Sequence, residues 1–143
     1  MCTKPQKMSR IKAALLTAGL IMALSSTTAF AANKEFKFSL SNNSSAESSV
    51  GSPAVKSNDG DTYAYVTPDS SKSNLAIKGA AVNVRVRDNA KNYATSYVTC
   101  NSYQKYKLHY LSGKAVGGAS YRLYGNVEYT NSYPVRMGGM WCP

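Results

Sequence analysis

An all-β domain is what this 143-residue sequence predicts, and three observations predict it. Apolar and polar residues alternate with period two in several short runs, and no helical repeat of apolar positions stands out beyond residue 31. Those runs are rich in Val, Tyr and Thr, residues that suit a pleated, half-buried surface. Turn residues separate them at spacings of about 8 to 15 residues, the rhythm of an antiparallel sandwich or small barrel. The expectation is a single antiparallel β-sandwich of about seven strands that follows an N-terminal signal peptide.

The leader comes first. Lys4, Lys7, Arg10 and Lys12 give a cationic start, Ala13 to Leu24 an apolar stretch, and Ala29-Phe30-Ala31 a small-x-small cleavage pattern. This twelve-residue stretch, broken only by Thr17 and Gly19, falls short of the roughly 20 residues needed to span a bilayer. The reading is a signal peptide over 1–31, starting at Met1 or Met8, and a secreted domain over 32–143 with no transmembrane segment. The leader takes four of the 17 basic residues and none of the 7 acidic ones, so the mature charge is +6 against +10 for the whole chain. A basic exported domain favours anionic partners, although the same charge serves solubility.

Each element then follows in order. Glu35 to Leu40 sets Phe36, Phe38 and Leu40 on one face and Lys37 and Ser39 on the other. A Ser/Asn-rich segment over 41–60 reads as a flexible loop closing on the Asp59-Gly60 turn dipeptide. Thr62 to Thr67 is a short strand stopped by Pro68-Asp69. Ala80 to Arg87 has the clearest pattern, with Val82, Val84 and Val86 inward and Asn83, Arg85 and Arg87 outward, because a one-residue slip would bury two arginines. Tyr93 to Cys100 and Gln104 to Leu111 come next, the latter alternating Tyr106, Leu108 and Tyr110 with Lys105, Lys107 and His109. Ser120 to Tyr129 and Tyr133 to Met137 complete the set.

Cys2 leaves with the leader, while Cys100 and Cys142 remain in an oxidising compartment, where two thiols most simply pair. Such a Cys100–Cys142 disulfide would remove about 4 kcal/mol of unfolded-state entropy. A free or intermolecular Cys142 stays open as the alternative, and Trp141 reads as a cap on the core and a shield for the bridge.

Catalytic chemistry finds little support. The seven acidic residues suggest no particular pair facing across a cleft. His109 stands alone and reads as a solvated surface residue, so neither a multi-histidine metal site nor a Ser/His/Asp arrangement is expected. Asn58-Asp59-Gly60-Asp61 gathers oxygen ligands but lacks the rest of a calcium loop, so no metal or cofactor is expected. The eleven tyrosines are the notable excess. They either fill a core short of Phe and Leu or, with cations beside them, form a surface for sugars and anionic polymers. Arg85, Arg87, Lys105 and Lys107 are the candidate binding residues.

The leader, the Phe36-x-Phe38 and Val82-x-Val84-x-Val86 strands, the Tyr121-Arg122-Leu123 segment and the terminal Gly-x-Trp resemble a family of small exported Gram-positive bacterial proteins grouped as a domain of unknown function. That resemblance implies a β fold and secretion and transfers no catalytic residue; the Trp141-Cys142-Pro143 ending departs from it. The expected role is therefore that of a secreted, non-enzymatic domain at the cell surface, holding an anionic cell-wall polymer or carbohydrate and no specific nucleic acid. A bacteriocin-like antimicrobial protein acting on the envelope of related bacteria is the alternative, and a secreted hydrolase the second.

Overall fold

A computed structural model describes residues 33–41, 43–75, 80–128 and 134–143. The leader and its cleavage site lie outside them. The described residues contain no helix, and therefore none long and apolar enough to cross a membrane.

Among the described residues nine strands form, two more than expected: β1 (Lys34–Leu40), β2 (Ser44–Glu47), β3 (Ala54–Val55), β4 (Tyr63–Pro68), β5 (Val82–Asp88), β6 (Val98–Cys100), β7 (Tyr106–His109), β8 (Ser120–Val127) and β9 (Val135–Cys142). They make two antiparallel sheets. One has four strands in the order β1-β9-β4-β7; the other has five, in the order β2-β8-β5-β6 with β3 also on β8. The two additional strands lie in the 41–60 segment expected as a loop. Its Ser and Asn residues have low strand propensity, but β8 offers them a paired edge, and that tertiary context decides.

Alternation places the core as expected. Phe36, Phe38 and Leu40 of β1, Ala64 and Val66 of β4, and Leu108 of β7 meet Val82, Val84 and Val86 of β5 and Leu123 of β8 in one buried cluster. The sheets face each other across it, for the Phe38 ring of β1 lies close against Gly125 of β8. Burying these side chains stabilises the fold by about 1.5–3 kcal/mol each before conformational entropy is subtracted.

Two strand boundaries differ for identifiable reasons. Tyr93 to Cys100 pairs continuously only from Val98; before that, isolated bridges tie Tyr93 to Arg87 and Thr95 to Tyr110. There the Thr95 hydroxyl accepts the Val86 N–H at 2.9 Å and replaces a ladder bond. By contrast, β9 runs on through Gly138, Gly139 and Trp141 to Cys142, because β1 pairs along one edge and β4 along the other.

The expected Cys100–Cys142 disulfide is not formed: both residues are thiols. Cys100 ends β6 with its Sγ–H directed at the Val98 carbonyl (3.9 Å), while Cys142 ends β9 in the other sheet with its Sγ–H directed at the Pro143 carbonyl (4.0 Å). Trp141 nevertheless caps the core, buried and donating its Nε1–H to the Gly51 carbonyl at 2.9 Å.

Candidate cation–tyrosine surfaces

The four candidate cations come to lie on two surfaces rather than one. Because Val82, Val84 and Val86 point into the core, Arg85 and Arg87 stand on the outward face of the five-stranded sheet. Register then supplies their neighbours: Tyr124 of β8 lies opposite Arg85, and Arg122 opposite Arg87. The Arg87–Tyr93 bridge brings the following segment alongside.

The result is an interleaved stack. The Arg85 guanidinium lies between Tyr97 and Tyr93, 3.5 and 3.8 Å from their ring centroids. That of Arg87 lies between Tyr124 and Tyr93, at 4.3 and 5.0 Å. Each contact contributes about 0.5–1 kcal/mol and fixes the orientation of a charge that would otherwise swing freely. The Nε atoms of Arg85 and Arg87 are covered and have no hydrogen-bond partner among the described residues.

A carboxylate completes the row without neutralising it. Glu47 of β2 accepts two bonds from Arg122 Nη1, at 2.9 and 3.1 Å, and one from the Tyr124 hydroxyl at 3.2 Å. Desolvation pushes the Glu47 carboxyl up, but its bonds with Ser52, Arg122 and Tyr124 outweigh that and hold it below the usual carboxylate range. Burial and the Glu47 charge push the Tyr124 phenol up, so it remains a donor. Glu47 thus offsets Arg122, which faces Arg87 directly across the strand pair, and leaves Arg85 and Arg87 as uncompensated charge.

Lys105 and Lys107 belong to the outward face of the other sheet. Register sets Tyr65 opposite Lys107 and Tyr63 opposite His109. Lys105 Nζ lies 3.5 Å from the Tyr65 centroid, and Lys107 Nζ lies 4.1 Å from that of Tyr63. The exposed His109 meets the Tyr63 ring edge-on at 5.9 Å. A cleft of about 300 Å³ opens beside this stack, lined by Tyr65, Thr67, Lys105 and Met140 among others.

The four ion pairs among the described residues are Lys56–Asp59, Lys72–Glu35, Lys114–Asp88 and Arg122–Glu47. None includes Arg85, Arg87, Lys105 or Lys107, although all seven acidic residues of the chain are described. The Asn58-Asp59-Gly60-Asp61 turn is occupied internally. Asp59 accepts from the Ser57 hydroxyl, from Lys56 Nζ at 3.0 Å and from the Asp61 N–H at 2.9 Å.

Tyrosine divides between the two uses the sequence left open. Tyr103, Tyr106, Tyr110 and Tyr121 lie in the core or pack against it, whereas Tyr63, Tyr65, Tyr93, Tyr97 and Tyr124 flank the cations. The alternation put these cations on outward strand faces, and the tyrosine excess suggested rings beside cations without saying which ring meets which cation. The individual partners were not legible, since Tyr65 and Lys107 become neighbours through a pairing of strands distant in the chain. Compared with known protein families, curated proteins and solved structures, the chain matches none of them.

Proposed function

We propose that this chain is an exported, non-enzymatic β-sandwich that holds a linear anionic polymer at the bacterial surface, with Arg85 and Arg87 as its principal contacts. One observation carries the reading: two guanidiniums clamped between tyrosine rings without any carboxylate partner. Ring stacking occupies the flat faces of a guanidinium and leaves its N–H edge for an external anion, the geometry in which arginine grips a phosphate or carboxylate. The flanking Tyr93 is more than half exposed, so its ring is also available to an apolar sugar face. Four of the seven carboxylates are taken up in ion pairs, which supports a binding role over hydrolysis by a carboxylate pair.

The test is retention of the purified protein on isolated Gram-positive cell walls and on immobilised poly(glycerol phosphate). Binding should fall steeply with salt, since charges separated by more than about 8–10 Å are screened at physiological ionic strength. Arg85→Gln with Arg87→Gln should elute at markedly lower salt than the wild type while keeping the same fold by circular dichroism, with a Tm lowered only by the loss of the four ring contacts. Retention that ignores both ionic strength and the two substitutions would overturn the proposal.

A further inference from the structure

We infer that the protein is divalent: its two cation–tyrosine faces hold two separate anionic polymer chains and so cross-link them. This rests on the binding role proposed above and adds a second site with a consequence of its own. Arg85 and Arg87 project from the five-stranded sheet and Lys107 from the four-stranded one, with Lys105 over Tyr65 on that same outward face. The inward residues of both sheets share one core, so the two faces look away from each other.

Distance keeps them independent. Facing sheets lie about 10 Å apart, and the outward side chains bring the two charge rows to a separation of roughly 20 Å. That exceeds the Debye length of about 8 Å at physiological ionic strength, so the rows do not merge into one field. The route around the nearest sheet edge is also uncharged. Residues 96–104, which include the β6 edge strand and the connection toward β7, contain no Lys, Arg, Asp or Glu. A polymer that followed charge from one face to the other would cross this neutral edge without a contact to hold it.

The two faces also present different chemistry to the same class of ligand. The arginine face offers planar, clamped donors; the lysine face offers point charges above Tyr63 and Tyr65 beside an open cleft. Both suit a phosphodiester polymer, and none of Arg85, Arg87, Lys105 and Lys107 is held in an ion pair that a ligand would have to displace.

The experiment is a bead assay with the full-length secreted protein. Biotinylated poly(glycerol phosphate) on beads captures fluorescent poly(glycerol phosphate) in solution only if the protein joins the two. Binding of one polymer is followed separately by fluorescence anisotropy. Wild type should bind and capture. The Arg85→Gln/Arg87→Gln and Lys105→Gln/Lys107→Gln variants should each still bind by anisotropy, while capture falls about ten-fold or more as one valence is lost. Capture by either variant at the wild-type level overturns divalence, as does a lysine-face variant that binds and captures like wild type while the arginine-face variant does neither. If the wild type binds no polymer at all, the binding role itself fails. Wild-type binding without capture removes only the bridging.

Discussion

Removing the carboxylate of Asp59 should destabilise this protein far more than removing the lysine it serves. Lys56 follows β3, held by backbone bonds to Ala119 and Gly118, and these turn its side chain inward. Only 1% of that side chain is exposed, and its ammonium lies 3.0 Å from Asp59 Oδ1 and 5.9 Å from the Tyr110 ring centroid. Asp59→Ala would leave a buried ammonium with a distant aromatic face. Stranding one member of a buried pair costs about 3–5 kcal/mol, reduced to about 2–3 here because Asp59 stands on the solvent side and water can replace part of it. In a domain of this size that amounts to a fall in Tm on the order of 10 °C. Lys56→Met removes the charge together with its need for a partner and should stay within about 1 kcal/mol of wild type.

Urea denaturation of both single variants and the double variant measures the asymmetry and the coupling between the two side chains. The pH dependence has a definite sign. The bond with Ser57, then those with the Asp61 N–H and Lys56, hold the Asp59 carboxyl well below the usual carboxylate range. Its contribution is therefore complete above that range and is lost as pH falls below it toward the depressed folded value. Asp59→Ala should correspondingly lose less stability than wild type on acidification from neutral pH. A Lys56→Met variant as unstable as Asp59→Ala, or an Asp59→Ala variant indistinguishable from wild type, would refute the reasoning.

Trp141→Phe keeps an aromatic ring in the core but deletes the bond to the Gly51 carbonyl and leaves a cavity where the larger indole sat, and should cost about 2–4 kcal/mol in denaturant titrations. Gly51→Ala should cost more, because Gly51 has φ +63° and a Cβ there would run into the Glu35 carbonyl oxygen; equal stability of this variant and wild type would contradict the packing described. Burial pushes the Cys100 thiol up to about 12, and the Cys142 thiol, also raised by desolvation, is less enclosed. Iodoacetamide at neutral pH should therefore label Cys142 first, with Cys100 reacting only as the protein unfolds; equal labelling rates by mass mapping would exclude this arrangement.

How much of this was legible beforehand follows the range of each interaction. Period-two alternation depends on neighbours two positions apart, so the inward set of β1, β5 and β7 could be read without tertiary information. The exposed place of His109 and the outward placement of Arg85 and Arg87 followed from the same rule. The 41–60 segment gave no such signal, because Ser44–Glu47 and Ala54–Val55 pair with β8 by filling an edge that residues far along the chain create. Lys56 was equally silent: a lysine in a polar stretch reads as solvated until the fold closes over it.

Alternation, composition and turn chemistry thus sufficed to determine an all-β chain with a cationic outward pattern, since each acts within a few residues. Strand order and register alone decided which tyrosine covers which cation, that the two pairs of cations occupy different faces, and that Cys100 and Cys142 end in different sheets. Those outcomes depend on pairings between residues many positions apart, whose cost in chain entropy is met only when the shared core forms as a whole.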